Sequence, residues 1–371
     1  MQINTNKPYQ IFAEVLEPEA LRQFESAMQQ PFAVRGALMP DAHCGYSLPI
    51  GAVIATERVV VPAWVGYDIG CGMCALPTEY DASAVRDNAK RIFDSIYRDI
   101  PVGFNHNRED TPWPDGDEIP RTDKMKEIFS RNGLKQLGSL GSGNHFIEVG
   151  TDDTGKVWII IHSGSRGIGH ATATHYMKIA SGDGKAREGH FGFEVDCQDG
   201  LDYLTDLEFC LQFALCNRLE MMNRIIRVMN KVLGVSSISL LDLINRNHNH
   251  AELEDGLWIH RKGATHAEVD MMGVIPGNMR DGSFIVRGKG NPDALWSSSH
   301  GAGRVMSRKK ALDTLSMDSF LETMEGIKAL VTPMTLDESP FAYKDIFEVM
   351  RLQEPMVEVV ARVRPILNIK G

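Results

Sequence analysis

Asp68-Ile69-Gly70-Cys71-Gly72-Met73 sets a carboxylate and a thiol three residues apart, with a glycine on each side of the cysteine. Glycine allows backbone angles and close approaches that a Cβ forbids, so Asp68 and Cys71 can both turn toward one point. A thiolate and a carboxylate begin a metal site, and one sulfur can bridge two ions. A buried free cysteine beside a solvated aspartate is the plainer alternative. Four further stretches add imidazoles. Gly141-Ser-Gly-Asn144-His145-Phe146-Ile147-Glu148 brings glycines up to a short apolar segment, and His162-Ser-Gly-Ser-Arg166-Gly167 follows an apolar run. Asn247-His248-Asn249-His250 holds two histidines, and His300-Gly301-Ala302-Gly303-Arg304 sets another in a glycine loop. A single histidine on a strand is more often a satisfied core residue than a ligand. Closely spaced histidines favour metal ligation, although the spacing fits no zinc finger and Cys71-x-x-Cys74 lacks a second CxxC.

These residues need elements to position them. The run Gly51 to Val61 reads as a buried strand leading through Pro62 and Gly66 into the Asp68 turn, while Met39 to Gly45 reads as a Pro/Gly turn holding Asp41 and His43. Lys156 to Ile161 is the clearest buried strand, and it ends at His162, as strands that build ligand sites commonly do. On a strand from Asn144 onward, Asn144 and Glu148 share one face and His145 takes the other. Helical spacing predicts helices over 18–30, 81–100, 170–180 and 202–233, the last ended by Gly234. Asn105 to Glu118 is polar and proline-bearing, hence a surface loop. Ser297 to Arg308 reads as a loop opening a helix, whose free amides, with Arg304 and Arg308 one turn apart, suit a phosphate near His300. It is not a Walker loop, because GxxxxGK[ST] is absent.

With 43% hydrophobic and 24% charged residues in 371, the chain has the composition of a globular enzyme with ample core. No internal repeat, low-complexity tract or linker interrupts it, so one catalytic domain over 1–371 is expected. The N-terminus, MQINTNKPYQ, has neither a basic leader nor an apolar core segment, and no apolar run reaches membrane-spanning length. A cytoplasmic protein without a membrane partner is therefore expected. The six scattered cysteines fit a reducing compartment. A net charge of −10 argues against nonspecific coating of nucleic acid. Between His260 and Lys310, however, nine Lys/Arg stand against four acids; that segment suits phosphates, with a solvated basic face as the bland alternative.

Taken together, DIGCGM, GSGNHFIE, HSGSRG, the His248-Asn249 pair, HRKGAT and SHGAGR resemble the RtcB family of RNA ligases in order and spacing from about Pro40 to Gly371. The resemblance implies an α/β (α+β) fold with central β-sheets flanked by helices around a deep metal- and nucleotide-binding cleft. It implies two Mn2+ ions bridged by Cys71, with Asp68 and His145 completing one site and His162 and His248 the other. His300 would attack the α-phosphorus of GTP and carry GMP. The implied nucleotide contacts are Asn144, His145, Phe146, Ile147 and Glu148, then His248 and Asn249, the turn Pro276, Gly277, Asn278 and Met279, Ser283, His300, Gly301, Ala302 and Gly303, and Lys370. The implied partners are GTP and RNA with a 3′-phosphate (or 2′,3′-cyclic phosphate) and a 5′-hydroxyl, in tRNA splicing or RNA repair. An activating partner protein is left open. The basic segment from Arg261 to Lys310 would bind RNA backbone. Manganese rests on the resemblance alone, since thiolate and imidazole intrinsically favour zinc.

Two departures stand out. Pro40 to Gly51 reads PDAHCGYSLPIG, with Tyr46-Ser47 where the family carries a glycine, and Asn278 replaces a serine. Neither removes an implied ligand or the nucleophile; with a chain shorter than typical tRNA-splicing members of the family, they leave a repair-type paralogue open. A metallophosphoesterase, an enzyme that caps RNA ends with GMP without sealing, and a non-catalytic RNA-binding protein are the competing readings. The glycine loop at His300 argues against the first, because a hydrolase needs no covalent nucleotide.

Overall fold

The structure, a computed structural model, describes residues 1–235 and 238–371. Its organising strand is Val157–Ser163, VWIIIHS, buried at every position. Such a β-branched run suits a pleated surface covered on both faces. Antiparallel neighbours flank it, Phe146–Thr151 on one side and Gly72–Thr78 on the other. The sheet runs on through Val357–Lys370, Ser283–Gly288 and Met272–Pro276 at one end and Ile244–Asn247 at the other, with Lys328–Ala329 beside the Val357–Lys370 strand. A second, five-stranded sheet is ordered Tyr9–Ile11, Ala33–His43, Ile50–Thr56, Leu257–Lys262, Asn249–Glu254. Mixed sheets and helices of this kind agree with the expected α/β (α+β) class.

One long helix, Gln198–Leu233, covers the first sheet. Met221, Met222, Ile225 and Met229 pack there with Ile147, Ile159 and Ile161 from the strands. Each fully buried side chain of this size contributes roughly 1.5–3 kcal/mol. The helix begins at Gln198, not at Asp202 as its apolar spacing predicts, because the Cys197 Sγ accepts from the Gly200 amide and caps an extra turn. It ends where expected, at left-handed Gly234. Buried in its middle, Arg218 donates to the carbonyls of Gly70 and Ser163, each at 2.8 Å, and to the side chains of Asn245 and Asn247. One guanidinium thus ties the Asp68–Cys71 turn to two strand ends.

Three expectations need correction. The segment 81–100 is two helices, Ala82–Asp87 and Ala89–Asp99, because Asn88 (φ −104, ψ 9) leaves the helical region between them. The run 51–61 is a strand to Thr56, a reversal through left-handed Arg58, and a separate short strand Val59–Val60. Met39 to His43 is not a turn but the end of the Ala33–His43 strand. Pro40, which has no amide to donate, falls where the pairing register shifts between Leu38 and His43. No helix among the described residues is long and apolar enough to cross a membrane.

Candidate active site

Strand register assembles the centre. Gly72 lies opposite both Ser163 and Asn247, and His162 lies opposite both Met73 and Phe146. Cys71, His145, His162 and His248 therefore stand within one residue of neighbouring strand ends on the same edge of the sheet. At His248 the chain leaves the first sheet for the second, and the His248 amide donates to the Cys71 carbonyl at 2.7 Å. Gly164 is required beside this edge, since a Cβ there would collide with the Asp68 carboxylate.

The five expected metal ligands converge. Cys71 Sγ lies 3.3 Å from His145 Nε2 and 3.2 Å from His162 Nε2. Asp68 Oδ2 lies 2.9 Å from His145 Nε2, and His162 Nε2 lies 3.2 Å from His248 Nε2. Cys71, His145 and His162 form a buried group able to hold an ion. The donors fit metal binding for a reason beyond proximity. His145 Nδ1 faces the Leu140 carbonyl at 3.0 Å and His162 Nδ1 the Asn144 carbonyl at 3.2 Å, so each ring is held with Nε2 turned into the cluster. Burial holds His162 and His248 neutral by pushing their pKa values well down, and this leaves their lone pairs available. Burial would raise Asp68, but the neighbouring His145 outweighs it and brings the carboxyl down to about 2. The Cys71 thiol, pushed well up by burial and then by Asp68, becomes a thiolate ligand only with a metal to compensate it.

Beside the cluster opens a cavity of about 290 Å³ with His300 in its wall. The His300 and His248 rings lie 4.8 Å apart, edge to face. Of the expected nucleotide contacts, Asn144, Phe146, Glu148, Pro276 to Met279, Ser283, His300 to Gly303 and Lys370 all line this space. Lys370 arrives by pairing: in the register of the last strand it lies opposite Phe146, and Asn368 lies opposite Glu148. Ser283 and Asn368 donate to Glu148 at 3.1 and 3.3 Å. Burial still dominates and pushes the Glu148 carboxyl up to about 8.

Four expected contacts do not line the cavity. Ile147 points the other way, into the core under the long helix, because alternate residues of a strand face opposite sides. Asn249 uses its side chain on backbone, donating to Asp68 O at 3.1 Å and accepting from Gly263 N at 2.8 Å. His145 and His248 belong to the metal cluster. The basic segment also divides. Arg261 is fully buried against Glu252 and Glu254, and Lys262 donates to the Ala63 carbonyl, so neither is offered to RNA. The helix expected to open at His300 starts instead at Arg308, after a short strand Ser297–Ser299. The N-terminus of that helix is therefore eight residues past His300 in sequence. Arg304 and Arg308 do line the cavity, but both are paired with buried Glu338 behind it. Glu338 also accepts from Lys370 at 2.7 Å and Tyr343 at 2.6 Å.

Asp41 is a candidate side chain that motif reading overlooked. Fully buried, its Oδ2 lies 2.8 Å from His300 Nδ1. Despite this distance the two atoms do not meet hydrogen-bond geometry. Burial would raise the Asp41 pKa, but His300 outweighs it and the carboxyl is held below its usual value. Gly303, at φ +74, lets the loop pass against the Asp41 carbonyl, where any Cβ would collide. A carboxylate inside the PDAH stretch was the available signal; the missing information was which histidine it meets, 259 positions away in sequence.

Comparison with known proteins bears on the whole arrangement. A sequence model for the family described as tRNA-splicing ligase RtcB matches residues 23–119 and 116–371. The chain belongs to the RtcB family. The RNA-splicing ligase RtcB of Escherichia coli strain K12 is 34% identical over 96% of this chain and 95% of its own length. The tRNA-splicing ligase RtcB of Pyrobaculum aerophilum is 30% identical over 90% of this chain and 87% of its own. In this RtcB protein the replacement at 278 keeps the turn closed, because Asn278 Oδ1 accepts from the amides of Arg280 and Asp281 at 3.0 and 2.9 Å. Tyr46, the other departure, is exposed and outside the cavity.

Proposed function

We propose that this protein is a GTP-dependent RNA ligase that joins a 3′-phosphate, or a 2′,3′-cyclic phosphate once opened, to a 5′-hydroxyl through a histidine–GMP intermediate. Family membership supports RNA ligation. The observation that supports the covalent route is His300, standing between the Cys/His cluster and the cavity with an anion fixed behind it. Asp41 engages Nδ1, which leaves Nε2 as the ring nitrogen for attack on the α-phosphorus. The new P–N bond puts positive charge on the ring, and Asp41 is placed to stabilise it. Pyrophosphate leaves; the RNA 3′-phosphate then takes GMP from His300; finally the 5′-oxygen forms a bond to the RNA phosphorus, the bond to GMP breaks, and the hydroxyl proton passes to water. Asp68, Cys71, His145, His162 and His248 would hold the ions. When bound, these ions neutralise charge on the reacting phosphates. Phe146 and Lys370 form one wall for the base, with Lys370 Nζ 5.0 Å from the Phe146 ring centre, and Glu148 suits the donor edge of guanine. The test is incubation with α-labelled GTP and manganese, then denaturing separation: label that stays on the protein, stable in base and lost in acid, marks the phosphoramidate.

Asp41→Asn keeps size but removes the charge. Formation of the covalent label should slow by roughly 10²-fold or more, while GTP affinity stays near that of wild type. Single-turnover labelling and equilibrium GTP binding separate the two, and an unchanged labelling rate would remove Asp41 from the mechanism.

Glu148 predicts a pH dependence. Its pKa of about 8 in the free site leaves it protonated at neutral pH, whereas a guanine edge of N–H donors requires the carboxylate. GTP affinity should therefore rise with pH below 8, by up to about tenfold per unit, and level off above it. Binding at neutral pH should release a proton. Calorimetry in buffers of different ionisation heat measures that release, and no release would contradict this role for Glu148.

A further inference from the structure

His250, the second histidine of the Asn247-His248-Asn249-His250 run, takes no part in the Cys/His cluster. It lies on the strand Asn249–Glu254, at the edge of the second sheet. Alternate residues of a strand share a face, so His250, Glu252 and Glu254 project to one side. There they meet His266, which ends the strand Ala264–His266, and Glu268 just beyond it. His250 Nε2 and His266 Nε2 lie 3.2 and 3.1 Å from a single oxygen, Glu252 Oε1. The two rings stack with centres 4.9 Å apart and planes within 13°. The donor atoms of His250, Glu252 and His266 all lie within 4.8 Å of one another.

Three features set this group apart from an ordinary ion-pair network. First, three carboxylates gather around one guanidinium: buried Arg261 contacts Glu252 and Glu254, and Glu268 lies 4.0 Å from it. Second, His266 Nδ1 lies 2.8 Å from Glu268 Oε1. An N–H donated there leaves Nε2 with a lone pair facing the Glu252 carboxylate, a contact that only a second proton or a cation makes favourable. A carboxylate that orients an imidazole in this way is the usual support of a histidine ligand. Third, His250 is 3% exposed, yet its Nδ1 has no hydrogen-bond partner among the described residues, and neither has the buried Glu268 Oε2. Two imidazoles and a carboxylate suit zinc, and donors around a tetrahedral zinc stand roughly 3.3 Å apart. We propose that His250, Glu252 and His266 bind a zinc-class divalent ion, with Glu268 orienting His266 and Arg261 holding Glu252. The ion would staple the edge of the second sheet to Ala264–His266, whose partner strand Ser297–Ser299 runs into His300. Its ligands are separate from the ligase site, so the proposal stands or falls independently of that reading.

The Cys71 cluster is also a zinc ligand set, so the test works by difference. Zinc per chain is measured after equilibrium dialysis at fixed free zinc, in wild type, His266→Ala, Cys71→Ser and the double variant. His266→Ala should remove one zinc per chain in both Cys71 backgrounds. Zinc should raise the melting temperature of Cys71→Ser by a few degrees and leave that of the double variant unmoved. His266→Cys supplies another zinc ligand and should keep the ion. Loaded with cobalt in the Cys71→Ser background, it should add a thiolate-to-cobalt charge-transfer band. Equal zinc with and without His266 overturns the site and leaves a second proton on His266 to balance the carboxylates. A His266→Cys protein without the cobalt band overturns it as well. If His266→Ala does not fold, the cysteine variant and its band decide alone.

Discussion

His300→Ala is expected to take no covalent label from α-labelled GTP and to seal no RNA, a loss down to the detection limit. No other imidazole can replace it. His162 and His248 are oriented within the metal cluster, and His43, which also lines the cavity, has its ring turned to the Asp41 carbonyl at 3.0 Å. Binding should survive, because the contacts from Glu148, Ser283 and Lys370 lie on strands that the substitution does not touch. His300 is only partly buried, so truncation leaves a small space in an open cavity and no sealed core void. The decisive measurement is the label in wild type and variant at equal GTP occupancy. Label retained by the variant would transfer the nucleophile to another residue; no label in either protein under varied metals would sink the ligase reading and favour a phosphoesterase.

Cys71→Ser is expected to be nearly as severe by a different route. A hydroxyl has the shape of the thiol but does not deprotonate to a bridging ligand near neutral pH, so bound manganese should fall from two ions toward none. Labelling should slow on the order of 10³-fold, the scale of the several kcal/mol that bound metals supply to such transfers. The fold should persist. Without metal the Cys71 thiol is already kept neutral by burial and by Asp68, so exchanging one neutral group for another leaves the apo protein melting within a few degrees of wild type. Metal analysis beside thermal melting checks this. Two ions still bound by a correctly folded Cys71→Ser protein would rule out the bridge.

The legible parts of this protein were those governed by local rules. The strand at Val157–Ser163 and the long helix ending at Gly234 follow from β-branched runs, helical spacing and a glycine stop, all of which act over a few residues. The DIGC turn, GNHF, HSGSR and SHGAG motifs exposed the residues proposed as ligands and nucleophile because glycines must surround side chains that converge on one point. Ile147 was misplaced by reading a motif as a block: once the strand starts at Phe146, alternation commits Ile147 to the core and Glu148 to the cavity. The basic stretch misled in a similar way, since charge counted along the chain does not reveal that Arg261 spends its guanidinium on Glu252 and Glu254.

By itself, the sequence determined the family, the inventory of thiol, carboxylate and imidazole groups, and the main strands and helices, because residue type and short spacing specify these. Only the tertiary structure decided which groups meet. Asp41 behind His300, Lys370 beside Phe146, and Glu338 tying together the cations of the cavity wall all depend on contacts across many tens to hundreds of residues. Such contacts are fixed by sheet register and by the burial of charge, and neither is encoded in any local window of the chain.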